Sequence, residues 1–133
     1  MSPATALGDV LELVSADENG AVTAFTADPA DPVLAGHYPG FPVQPGVYLL
    51  EAADRTARLW AHGAPLDLVA MDRCRFHRPV FPGDRVTTTV TVGPVKGAAS
   101  AEELDVRAKA VSGTGPVADL RLRYRRAESE GPK

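Results

Sequence analysis

Apolar and polar positions alternate with a period of two through most of this chain, and one stretch switches to the helical period. Asp9 to Ser15 (DVLELVS) and Ala21 to Ala27 (AVTAFTA) alternate, and Glu18-Asn19-Gly20 between them reads as a hairpin turn. Val47 to His62 (VYLLEAADRTARLWAH) has the spacing of one long helix. Pro45 suits its first turn, His62 its dipole-favoured last turn, and Gly63 the left-handed position just beyond. The first half, VYLLEAA, is apolar almost all round, as in a helix embedded in a core. Asp54, Arg55 and Arg58 bring the second half to water, while Tyr48 and Trp60 read as core or interface anchors. Strands return at Asp67 to Val80, Arg85 to Val92, Glu103 to Val111 and Val117 to Arg126. Turns at Pro82-Gly83-Asp84 and Ser112 to Pro116 divide them. The expected class is α+β: an antiparallel β-sheet wrapped around one long central α-helix. Residues 1–126 form one domain in this reading, and 127–133 a disordered tail.

Composition narrows the classes. Hydrophobic residues at 44% and charged residues at 23% belong to a globular chain and argue against bulk disorder. A single cysteine, Cys74, excludes an intrachain disulfide and a zinc site built on paired cysteines. Between Arg73 and Arg75 it reads as a core residue facing inward with Phe76, rather than as an activated thiol. No window reaches the ~18 apolar residues of a membrane span, and the start of the chain lacks a signal-peptide pattern. A cytoplasmic protein with no membrane partner is expected.

The net charge of −3 conceals a division. Residues 1–70 carry 2 basic and 9 acidic side chains, whereas residues 71–133 carry 12 basic and 8 acidic. Much of the excess lies in Arg73 to Arg78 (RCRFHR) and Arg121 to Arg126 (RLRYRR), where alternation puts several cations on one strand face. A solvated face is the simplest reading, and a docking face for a small acidic protein is the functional one. Nucleic acid is not expected, because the chain is acidic overall and only 6% aromatic.

The candidate chemistry sits between the second strand and the helix. Residues 27–46 (ADPADPVLAGHYPGFPVQPG) hold five prolines and three glycines, which excludes a regular helix or central strand and suggests a rigid loop. His37 lies in that loop, and Glu51 follows 14 residues later on the helix. Burial among Leu49, Leu50, Ala52 and Ala53 would favour Glu51 as a proton donor, and histidine is the natural acceptor near neutral pH. Such a pair suits proton removal coupled to loss of a leaving group. Gly46 opens the helix, where free amides can hold a carbonyl oxygen that a side chain would block. The plainer alternatives are a turn-capping His37 and a Glu51 paired with Arg55 one turn on.

HYPGFPVQPGVYLLEA closely resembles the active-site motif of the β-hydroxyacyl-acyl-carrier-protein dehydratases of the hotdog superfamily. That motif runs His-Phe-Pro-Gly-x-Pro-x-Met-Pro-Gly-Val, with a Glu fourteen places after the His. Arg75 to Val86 (RFHRPVFPGDRV) resembles the family's Phe-Arg-x-Pro-Val-x-Pro-Gly-Asp stretch at the expected distance. The resemblance covers roughly residues 33 to 92. It implies a hotdog fold and a dimer, or an assembly of dimers, in which one subunit's His meets the other's acid. It also implies that His37 takes the α-proton of a 3-hydroxyacyl thioester, that Glu51 helps the hydroxyl leave as water, and that the Gly46 amide holds the thioester carbonyl. The product would be a trans-2-enoyl thioester, with no metal and no organic cofactor. An acyl carrier protein would present the chain, in fatty-acid or polyketide-type biosynthesis, and Arg73, Arg75 and Arg78 are candidate docking residues for it.

The chain departs from the family pattern in places that bear on the substrate. Gln44 stands for the usual Met, Phe41 for a polar residue and Arg55 for a common Gln, and all three are candidate substrate-tunnel residues. The Pro-His-Arg-Tyr-Pro-Phe segment that often precedes the first strand is missing, which points to a specialised relative. Glu51 stands where the isomerising branch has Asp. A hotdog thioesterase, or a non-catalytic hotdog subunit that binds carrier protein, is the alternative. His77, on the face of Arg73 and Arg75, suits a solvated or carrier-facing role.

Overall fold

The computed structural model describes residues 11–27, 46–95 and 102–126. His37, Phe41 and Gln44 lie outside these, as do the start of the expected first strand and the tail. The elements are β1 (Glu12–Asp17), β2 (Gly20–Thr26), α1 (Gly46–Trp60), β3 (Leu66–Phe76), β4 (Arg85–Pro94), β5 (Glu103–Ser112) and β6 (Gly115–Arg126). The six strands form one antiparallel sheet in the order β1-β2-β4-β5-β6-β3. The chain leaves β2 near one edge, supplies α1, and enters β3 at the opposite edge.

Alternation decides which side chains face α1. Ala21, Thr23 and Phe25 of β2 lie opposite Val90, Thr88 and Val86 of β4, and all six are buried. Val106, Ala108 and Ala110 of β5 and Leu120, Leu122 and Tyr124 of β6 continue the same inner face. Against it α1 turns Tyr48, Leu49, Ala52, Ala53, Thr56 and Ala57, packing mainly over β2 and β4. Three alanines at the contact let the helix approach closely. A buried hydroxyl chain fixes its rotation: Thr23 donates to Thr56 Oγ1 at 2.7 Å, and Thr56 donates to the Ala52 carbonyl at 2.5 Å. Each fully buried Leu, Val or Phe contributes about 1.5–3 kcal/mol, so this face is the main source of stability.

The turns follow their residue chemistry. Phe81 to Asp84 is closed by Asp84 N–H donating to the Phe81 carbonyl at 3.0 Å. Pro82 precedes Gly83 at φ 89°, the arrangement of a type II turn. The β1–β2 hairpin is tighter than expected, because Gly20 already pairs with Asp17 and only Glu18 and Asn19 form the loop. Gly20 does not have a positive φ. Its role is close approach, since a Cβ there would lie 2.0 Å from the Val90 carbonyl oxygen. At the other hairpin only Gly113 and Thr114 form the turn, and Pro116 is tolerated beside the irregularity between Ala110 and Val111.

Two expectations need correction. The helix ends at Trp60 and not at His62, which is itself left-handed at φ 54°, followed by Gly63 at φ 84°. The strand expected to run to Val80 ends at Phe76, and Phe76 is not in the core. Leu68, Met71, Cys74 and Phe76 do face inward, opposite Tyr124, Leu122, Leu120 and Ala118. Yet α1 does not extend over β3, so Leu68, Met71 and Phe76 remain 42%, 50% and 52% exposed.

Candidate active site

Gly46 is the first residue of α1, so its N–H belongs to the set that finds no partner within the helix. Glu51 and Arg55 project from the less buried face of α1, one turn apart, with Arg55 Nη1 3.5 Å from Glu51 Oε2. Their side chains are 18% and 31% exposed, Glu51 being the more enclosed. The pairing weighed as the plainer alternative is therefore present, on the same face that offers the candidate acid.

The adjoining turn repeats the construction. Arg58 Nε lies 3.0 Å from Asp54 Oδ2 and donates across to Oδ1 at 3.2 Å. The Tyr124 hydroxyl donates to Asp54 Oδ1 at 2.7 Å, and Arg58 Nη1 donates to the Leu66 carbonyl at 2.8 Å. The Arg58 guanidinium also stands 5.8 Å over the Tyr124 ring. Burial, helped by the bond to Asp54, pushes the Tyr124 phenol far above its ordinary range, so it remains a donor. Asp54 and Arg58 thus tie α1 to β6 and β3 rather than simply meeting water. Local pattern could not reveal this, because Tyr124 is 70 residues from Asp54 in sequence.

The candidate docking arginines divide. Arg73 and Arg75 line an open groove of about 630 Å³ on the outer face of the sheet, opposite α1, together with Arg107, Lys109 and Arg121. Register builds it: Arg121 lies between Arg73 and Arg107, and Asp119 between Arg75 and Lys109. Asp105 pairs with Arg121 at 3.0 Å and with Arg107 at 3.7 Å, which offsets part of the like-charge opposition. His77 Nε2 lies 2.8 Å from Asp119 Oδ2. Arg123 hydrogen-bonds Asp72 and holds its carboxyl below the usual carboxylate range. Arg78 is not in the groove and lies beside the Gly115 turn. Arg107 and Lys109 were missed as site residues because cross-strand register cannot be read from local pattern. Burial pushes the Cys74 thiol up, against an activated thiolate. Among the described residues no three His, Cys, Asp or Glu side chains gather as a metal site.

Comparison with known proteins adds the ancestry of this arrangement. The model of the ApeI-like family, described as ApeI dehydratase, matches residues 13–114. The chain belongs to the ApeI-like dehydratase family. This hotdog family accounts for the sheet order and for the helix α1 packed on it. Among curated relatives, the 3-hydroxyacyl-[acyl-carrier-protein] dehydratase FabZ of Verminephrobacter eiseniae is 42% identical over 76 residues, 50% of this chain and 51% of that protein. The FabZ of Myxococcus xanthus is also 42% identical over 76 residues, 51% of this chain and 50% of that protein. The chain thus spans about half the length of these relatives. Among solved structures, the E. coli PaaI protein from the phenylacetic acid degradation operon superposes with TM-score 0.73 at 23% identity, covering 90% of this chain and 80% of that one. The TT0310 protein from Thermus thermophilus gives TM-score 0.73 at 20% identity, with 91% and 96% covered. At these identities the superpositions establish the hotdog fold alone for this ApeI-like chain.

Proposed function

We propose that the chain is a dehydratase that removes water from a 3-hydroxyacyl thioester carried on acyl carrier protein, giving a trans-2-enoyl thioester. The observation that carries the reading is Glu51, a partly buried carboxyl group on a helix opened by Gly46, 14 residues after His37. His37 accepts the proton from C2, Glu51 delivers a proton to the 3-hydroxyl directly or through water, and the C3–O bond breaks as C2=C3 forms. The Gly46 amide holds the thioester oxygen as charge builds on it. One assay tests this: incubation with 3-hydroxyacyl and enoyl thioesters, following enoyl absorbance and free thiol separately. Enoyl formation without thiol release supports the reading; thiol release alone would replace it with a thioesterase, and neither signal with a non-catalytic subunit.

The proposed assembly is a dimer. Leu68, Met71 and Phe76 form an exposed apolar strip on β3, whose outer edge has no strand beside it among the described residues. Such an edge is a ready surface for pairing with a second copy. Sedimentation at working concentration reads the outcome, and a monomer would count against it.

Arg73 and Arg75, joined by Arg107, Lys109 and Arg121, are proposed as the docking face for the acidic carrier. Each exposed charge pair contributes up to about 1 kcal/mol. Reversal exchanges attraction for repulsion, so Arg73→Glu is expected to raise KM for carrier-bound substrate roughly tenfold. The effect should fade as salt shortens the screening length to about 10 Å at ~0.1 M and below that at higher salt. A short soluble thioester should react as before; equal loss on both substrates would put Arg73 in the site or the scaffold instead.

A further inference from the structure

The cations of the outer groove are not equally available. Three carboxylates stand in it or beside it, and each already has a donor. Asp105 accepts from Arg121 at 3.0 and 3.1 Å, and Asp72 accepts from Arg123 at 3.0 Å. Asp119 Oδ2 lies 2.8 Å from His77 Nε2. Arg107 reaches Asp105 only at 3.7 Å. Among the described residues, Arg73, Arg75 and Lys109 have no ion-pair partner.

Asp119 is the acid that register offers to two of these three. It lies directly across from Arg75 on β3 and from Lys109 on β5, where opposite charges attract. Arginine and lysine are charged throughout the physiological range, whereas histidine titrates within it. Charge alone would therefore turn Asp119 toward Arg75 or Lys109. Its carboxylate turns instead to His77, just past the end of β3. His77 is held there by its own backbone, whose N–H donates to the Val117 carbonyl at 2.8 Å. A carboxylate only accepts, so the ring nitrogen is the donor, and a neutral ring with its proton on Nε2 suffices. Released from His77, Asp119 would fall between Arg75 and Lys109 and offset one of their two charges.

We infer that His77 holds the Asp119 carboxylate away from Arg75 and Lys109, and so keeps both cations open to the acidic carrier. The inference rests on the docking reading and deepens it: His77 is a positioning residue for docking that acts through Asp119. Both side chains are more than a third exposed, so the contact itself adds little to folding.

The test measures the dissociation constant of acyl carrier protein, bearing no substrate chain, for the full chain and its variants at low and high salt. Melting temperature is recorded for each. His77→Ala should weaken binding about threefold to fivefold at low salt, the scale of one exposed charge contact, with melting unchanged. The loss should shrink at high salt. His77→Gln should recover part of it, because the amide can still donate to Asp119. Beside Asp119→Asn, His77→Ala should have no further effect, since the charge it releases is gone. A loss that persists beside Asp119→Asn would make the imidazole itself a contact and overturn the inference. So would wild-type binding by His77→Ala, or a glutamine variant no better than alanine. If the wild-type protein does not bind the carrier, or Arg73→Glu binds it as tightly, the docking reading falls and the role of His77 with it.

Discussion

His37→Ala and Glu51→Gln should each lower both dehydration and hydration by at least ~100-fold, the scale on which a positioned general acid or base acts. Glu51→Gln keeps the size of the side chain and a polar tip, so loss of its proton chemistry is the only large change. Glu51 is on the less buried face of α1, so folding should be unaffected, and melting curves check this. If the site is shared across a dimer, mixing the two inactive proteins under exchange conditions restores part of the activity. A mixed dimer then holds one intact site and one doubly altered site. Near-full turnover by either variant would remove the assignment. No recovery, with exchange demonstrated by mass, would mean that each subunit supplies its own pair.

Gly20→Ala should unfold the protein much more readily, lowering stability by about 3 kcal/mol, at the upper end for overpacking. The added methyl would lie 2.0 Å from the Val90 carbonyl oxygen, 3.0 Å from its carbon and 3.2 Å from the Thr91 Cα. These are backbone atoms of a central strand, so relief requires parting β2 from β4. Gly63→Ala is the contrast. Its methyl would meet nothing within 4 Å but must adopt φ 84°, a left-handed strain of roughly 1–2 kcal/mol. Denaturant midpoints at constant slope separate the two. A Gly20→Ala protein with a wild-type midpoint would refute the close-approach argument.

The contrast also marks what the amino-acid pattern could convey. Alternation and punctuation sufficed to place six strands and one helix, because each depends on residues within a few positions. Glu51, Arg55 and Gly46 could be assigned to α1 for the same reason. Residues that depend on register were hidden: Gly20 reads as a turn glycine until β4 lies beside it, and Phe76 reads as core until α1 is seen to stop short of β3. The link from Tyr124 to Asp54 and the gathering of Arg107 and Lys109 with Arg73 are likewise products of strand order. His37, Gln44 and Phe41 lie outside the described residues, so their places rest on the motif alone.

The alanines beneath α1 constrain where an acyl chain can go. Ala52, Ala53 and Ala57 are fully enclosed against the inner face, with Thr56 locked to Thr23 among them. Enlarging that seam would break the hydroxyl chain and lift the helix from β2 and β4. In the proposed dehydratase a fatty tail would therefore have no path between α1 and the strands it covers. In that proposed enzyme such a tail would run along the other side of the helix, where Glu51 stands. Substitutions within the seam would then be read in melting temperature, and chain-length selectivity would be set elsewhere.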